Sequence, residues 1–292
     1  MNPFGLNIQS VISLPGYADT GKEPDVMIRY GTVPDALPCA TMIRACTQTR
    51  PGQFLLKLDH IAKYLVENGN CITIDPAPDV TDDDVRLFLM GSAWSALLLQ
   101  RGLLPLHGSA IRVKDSAIVL AGPTGNGKST LAAALMEQGF SIIADELCGL
   151  VVQEGHQPML MPGFPQILLW EDTLEKMGKD IRKLSPVRPG MKKFILPLGN
   201  ANTREPLPLD QVYILVANNI AFPDIIPLRG VNKIHALMDC TYRAHHVAGL
   251  GLSMPHFNQC SNAAHGIVVK QVDRPEAFFD INDLARRLME DF

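Results

Sequence analysis

Eight residues, Gly122-Pro123-Thr124-Gly125-Asn126-Gly127-Lys128-Ser129, lie between an apolar run at 117–121 and a helix-forming run at 130–136. The pattern G-x-x-x-x-G-K-S in a strand–loop–helix setting constrains this chain more than any other feature. Loop and first-turn N–H groups converge on one point, and the helix dipole favours negative charge there. The motif therefore predicts an α/β fold with a phosphate-binding turn. Lys128 is positioned to reach terminal phosphates, and the Ser129 hydroxyl to ligate Mg²⁺. The bland alternative is an ordinary glycine-rich turn.

The chain has 292 residues, 47% hydrophobic and 19% charged, enough to bury a substantial core. A net charge of −4 argues against a nucleic-acid binder that relies on overall charge. The six cysteines form no C-x-x-C pair or zinc spacing, and they read as reduced thiols of a cytoplasmic protein. No signal peptide is evident, and the most apolar stretch, 87–99, is too short to span a membrane. His245, His246, His256 and Cys260 fit no recognised metal pattern, so Mg²⁺ is the only metal expected.

Residues 1–80 read as a small N-terminal α/β domain, with strands at 54–58 and 71–74 around a turn at 67–70. Residues 81–292 read as the phosphate-loop domain. A helix capped by Thr81 with Asp84 opens it, and Leu87, Met90, Trp94, Leu97 and Leu98 mark a core-facing stripe. Residues 106–113 and the strand entering the loop are so close that they predict an antiparallel hairpin. After the loop helix, 140–144 reads as a strand ending at Asp145-Glu146. A crossover of this kind places its two strands parallel and close, which delivers both carboxylates beside the loop. Adjacent strand residues face opposite ways, so one carboxylate, Asp145, is expected to dominate, with Glu146 at the turn. The bland alternative here is a helix cap or a solvated pair.

Residues 171–184 read as an amphipathic helix. From Arg182 to Arg204 there are six cations and no acid: Arg182, Lys183, Arg188, Lys192, Lys193 and Arg204. Prolines and a glycine break this stretch, so it reads as a mobile basic loop. It could clamp a phosphate, with Arg188, Lys192 and Lys193 as candidates, or simply be solvated. His107 could serve proton traffic or be a hydrogen-bonded core histidine.

Three segments together resemble the HPr kinase/phosphorylase superfamily. They are Leu106-His107-Gly108-Ser109-Ala110, Gly122 through Leu131, and Ala144-Asp145-Glu146. Phosphoenolpyruvate carboxykinase is similar in this region. The pattern looks closest to stand-alone HPr-kinase-like enzymes, including those of lasso-peptide clusters, which phosphorylate a serine of a precursor peptide. Weaker similarity runs from about residue 28 to the end, through 61–66, 89–93, 100–107, 207–209 and Tyr242-Arg243.

The resemblance implies a phosphoenolpyruvate-carboxykinase/HPr-kinase-like fold and an ATP- and Mg²⁺-dependent kinase acting on a serine hydroxyl. It implies nucleotide binding by Gly122, Thr124, Gly125, Asn126, Gly127, Lys128, Ser129 and Thr130. Asp145 would be the acid/base carboxylate or, with Ser129, a metal contact, and His107 would lie near the transferred phosphate. Glu146 stands where the family has a second Asp, which leaves the division of roles between the carboxylates open. Thr130 replaces a family Glu, so phosphorylase activity is not carried over. A peptide or protein is the expected partner, with no nucleic acid and no membrane; a homo-oligomer is compatible. A small-molecule kinase and a non-catalytic nucleotide sensor are the rival functions.

Overall fold

A computed structural model describes residues 2–188, 190–199, 205–276 and 280–292. The chain opens with seven strands in one sheet: β1 (Ile8–Ser10), β2 (Val26–Tyr30), β3 (Met42–Ile43), β4 (Thr47–Arg50), β5 (Gln53–Leu58), β6 (Ala62–Glu67) and β7 (Cys71–Pro76). Their order is β1-β2-β7-β6-β5-β4-β3, with β1, β2 and β7 parallel neighbours and the rest antiparallel. The turn between β6 and β7 uses Asn68 and Gly69 at φ +50° and +68°. The expected N-terminal α/β unit is corrected here, because the first 80 described residues hold strands and a single 3₁₀ turn but no α-helix.

The helical layer comes after residue 80. Helix α1 (Asp82–Phe88) begins in the expected capping box of Thr81 and Asp84. A π-helical segment, Leu89–Ala93, joins it to α2 (Trp94–Gln100). Val85, Leu89, Ala93, Trp94 and Leu97 pack against Phe54, Tyr64, Ile72 and Ile74 of the first sheet. The core therefore crosses the boundary drawn at residue 80. Trp94 is fully buried in a three-ring cluster with Phe4 and Phe164, whose ring centroids lie 6.0 and 5.5 Å away.

Two strands, β8 (Leu104–Val113) and β9 (Ser116–Ala121), form the expected hairpin, and helix α3 (Lys128–Glu137) follows the glycine loop. Next come β10 (Ser141–Val151) and β11 (Met159–Leu160). A separate antiparallel sheet holds β12 (Gln166–Trp170), β13 (Ser185–Pro186) and β14 (Lys193–Pro197), with helix α4 (Glu171–Lys176) between its first two strands. The expected helix over 171–184 thus stops at Lys176, and Ile181–Lys183 forms a 3₁₀ turn. The main sheet resumes with β15 (Leu207–Asn218), β16 (Asp224–Pro227) and, after helices α5 (Val231–Asp239) and α6 (Ser253–Gly266), β17 (Val268–Pro275). Helix α7 (Ile281–Asp291), capped by Asp280, ends the chain.

This second, mixed sheet runs β11-β10-β8-β9-β15-β17-β16, and β11 also pairs with β15. Side chains alternate across it. Ala117, Val119 and Ala121 of β9 meet α5 and α6 on one face. Ile118 and Leu120 meet α3 and α7 on the other. The strands β9 and β10 run parallel, but β8 lies between them, antiparallel to both. The expected close approach is therefore made across an intervening strand. None of the helices among the described residues is long and apolar enough to cross a membrane.

The segment after α5 ties the two sheets together. Gly249 approaches so closely that a Cβ there would sit 1.9 Å from Thr49 Oγ1 on β4. His246 is 2% exposed, edge-on to Phe54 of β5. Burial first, then the positive groups His245, Arg243 and Arg44, push its pKa from 6.5 to about 3. Above about pH 6.5 the ring is neutral folded or unfolded, and its packing contributes in full. Below that only the unfolded chain takes the proton readily, so stability falls until about pH 3. The loss is a few kcal/mol, because each tenfold difference in proton affinity between the two states is worth about 1.4 kcal/mol. Urea titrations between pH 7 and pH 4 should show a smaller decline for His246→Phe than for the unmodified chain.

Candidate active site

The loop between β9 and α3 is built on glycines in left-handed backbone, with φ of +128° at Gly122, +89° at Gly125 and +86° at Gly127. A side chain at Gly122 would meet the Leu215 carbonyl at 2.6 Å. The loop is braced from outside. Asn126 Nδ2 donates to the Leu215 carbonyl at 2.8 Å, and Arg274 Nε of β17 donates to the Asn126 carbonyl at 3.0 Å. The Asn126 side chain thus braces the loop against β15. Arg274, remote in sequence, carried no local signal.

Lys128 Nζ donates to the carbonyls of Gly122 and Pro123, both at 2.9 Å. Burial pulls its pKa down, while Glu146 and Asp145 oppose that shift. Thr124 is exposed at the loop tip. The hydroxyl of Thr130, expected among the nucleotide-binding residues, lies 3.3 Å from that of Thr173 on α4.

The carboxylate pair lies inside a strand rather than at its end, because β10 continues to Val151. Asp145 Oδ1 accepts from Ser109 Oγ at 2.6 Å and from Ser129 Oγ at 3.0 Å, and Oδ2 accepts from the Leu168 N–H at 2.9 Å. Glu146 has φ +66°, which breaks the strand's alternation. Both side chains consequently border the same cavity. Expecting one carboxylate to face away is corrected by this backbone turn. Glu146 receives Lys193 Nζ at 2.5 Å and lies 3.4 Å from His107 Nε2.

The two acids are driven apart. Burial, then the Glu146 charge, raises the pKa of Asp145 against the hydrogen bonds from Leu168 and Ser109. Burial also works to raise Glu146, but His107 and Lys193 outweigh it and hold the group at about 2. A proton-accepting carboxylate beside a permanently ionised one is a familiar division of labour.

Within the basic segment, expected as one mobile loop, Ser185–Pro186 and Lys193–Pro197 form strands. Lys193 begins β14 and reaches the pair. Lys192 turns the other way, to Glu171 at 2.8 Å. Arg188 is exposed and borders the cavity. Arg204 lies outside the described residues. The cavity, about 750 Å³, opens between β10, the π-helical stretch and the small sheet. Leu87, whose spacing reads as core, lines it, and so does Met90, which also packs against the core. Val85 and Leu89 are buried instead, and the π segment resets the helical face before Trp94. Tyr242 lines the cavity too, its ring 5.2 Å from that of His107.

The donor set fits a polyphosphate with a divalent cation. Loop N–H groups and Lys128 suit the anion, while the Ser129 hydroxyl and the Asp145 carboxylate are adjacent oxygens for the metal.

No family model and no curated protein matches this chain. Among solved structures, the Hpr(Ser) kinase/phosphatase from Coxiella burnetii is similar over 64% of this chain and 94% of that chain, at 14% identity and a TM-score of 0.36. A likeness that distant leaves the chemistry to rest on the residues themselves.

Gly122→Ala should lower unfolding free energy by about 1–3 kcal/mol, since it adds left-handed strain to a contact with backbone. Chemical denaturation measures it, and Gly155→Ala, at a left-handed site in open space, is the control for strain alone.

Proposed function

We propose that this protein is an ATP- and Mg²⁺-dependent kinase that transfers a phosphoryl group to the serine hydroxyl of a peptide or protein. The observation that carries this reading is the 3.0 Å contact between Ser129 Oγ and Asp145 Oδ1. It joins the glycine loop to a carboxylate that also borders the cavity. One residue thus stands between a place for phosphates and a place for an acceptor.

The loop backbone and Lys128 hold the phosphate chain. The Ser129 hydroxyl would hold the metal, which, when bound, supplies positive charge at the phosphate oxygens. Asp145, with its raised proton affinity, accepts or orients the acceptor hydroxyl's proton. Glu146 stays ionised, anchoring Lys193 and His107 beside the cavity. Lys193 supplies positive charge where negative charge develops.

Mass spectrometry of candidate peptides incubated with the protein and MgATP tests the reading, and phosphoserine is the expected product. Asp145→Asn should cut turnover about 10²–10⁴-fold while calorimetric ATP affinity stays close to that of the unmodified chain. A nucleotide sensor would instead keep its biological output in that variant.

Glu146→Gln removes a negative neighbour from Asp145 and so lowers the Asp145 pKa. In the metal-free protein the Asp145 carboxyl should titrate at lower pH by NMR, and an unmoved titration would remove Glu146 as a source of the shift.

A further inference from the structure

The cavity's chemistry narrows the acceptor, given the kinase reading above. It has the volume of a typical small-ligand site, about 750 Å³, and Asp145 lies on its wall. A folded domain cannot enter a space of that size. The segment that carries the acceptor hydroxyl must be narrow enough to enter it.

The walls are mostly apolar, with Leu87, Met90, Leu168, Met191, Ile195 and Tyr242 among them. Such surface favours an apolar guest, since burying it against water is favourable. The polar groups mostly neutralise each other. Glu146 is matched by Lys193, and Arg86 pairs with Asp83. Two exposed cations at the cavity, Lys183 and Arg188, have no ion pair among the described residues. They leave local positive charge on a chain whose net charge is −4.

We infer that the acceptor is a short unfolded peptide segment in which a serine is flanked by bulky apolar residues and by an acidic residue. The apolar flank fills the space between the π-helical stretch and the small sheet. The acidic residue meets Arg188 and Lys183. The serine oxygen forms a bond to the γ-phosphorus as the bond to the β–γ bridging oxygen breaks. ADP leaves with that electron pair, and the serine proton passes to Asp145.

Three serine peptides of equal length test this with MgATP: one with Leu/Phe and Asp/Glu flanks, one with Leu/Phe and Lys flanks, and one with Asn/Gly and Asp/Glu flanks. The first should exceed both others in kcat/KM by tenfold or more, read by phosphopeptide mass spectrometry. Arg188→Glu, at an exposed position, should reverse the order of the acidic and basic peptides while calorimetric ATP affinity is unchanged. Equal rates for all three peptides, or an Arg188→Glu variant that scales them alike, would overturn the inference and leave the kinase reading standing. No phosphopeptide and no ATP consumption would remove both. Phosphorylation of an apolar ω-hydroxy acid, with no peptide modified, would keep the cavity chemistry and overturn the peptide.

Discussion

Asp145 accepts hydrogen bonds from three elements that are far apart in sequence: Ser109 on β8, Ser129 on α3 and the Leu168 N–H on β12. Hydrogen bonds to a charged group are stronger than neutral ones, and a buried carboxylate without them would be severely destabilising. The carboxylate therefore holds the glycine-loop helix and the small sheet in register with the main sheet. It is also the group whose proton affinity burial raises. Positioning and reactivity come from the same placement.

The neighbouring residue makes the site two-sided. A left-handed backbone at a non-glycine residue is strained by roughly 1–2 kcal/mol. At Glu146, φ +66°, that strain turns the carboxylate to the same side as Asp145. Lys193 and His107 then hold its charge, and that charge in turn raises the pKa of Asp145. The pair and its two basic partners are one electrostatic unit, with Lys128 of the loop within its field.

The first sheet is packed into the same body. Helices α1 and α2 cover it, Trp94 clusters with Phe4 and Phe164, and the segment carrying His246 and Gly249 presses on β4 and β5. The same helical layer presents Leu87 and Met90 to the cavity, so the fold of the first hundred residues shapes the site built on the later ones.

Much of the site's centre was legible in sequence because its determinants are local. Glycines that tolerate left-handed backbone, an adjoining helix start and a two-residue hairpin turn act within a few positions of one another, so Gly122 to Ser129, the β8–β9 hairpin and the nearness of Asp145 could all be read. What failed depended on distant partners. Strand alternation predicted that Asp145 and Glu146 would diverge, and nothing local betrayed the positive φ that brings them together. Prolines and charge suggested a loose loop at 182–204, yet pairing with β12 orders the 193–197 stretch and brings Lys193 to Glu146. Helical spacing placed Leu87 and Met90 in a core, while Leu87 lines the cavity and Met90 both packs against the core and reaches the cavity. Arg274 joins the site only through sheet pairing, over a separation at which residue order carries no signal. Sequence alone determined the glycine loop and the helix start that follows it. Tertiary structure decided which charges meet there, because the energy of a buried charge depends on its neighbours in space.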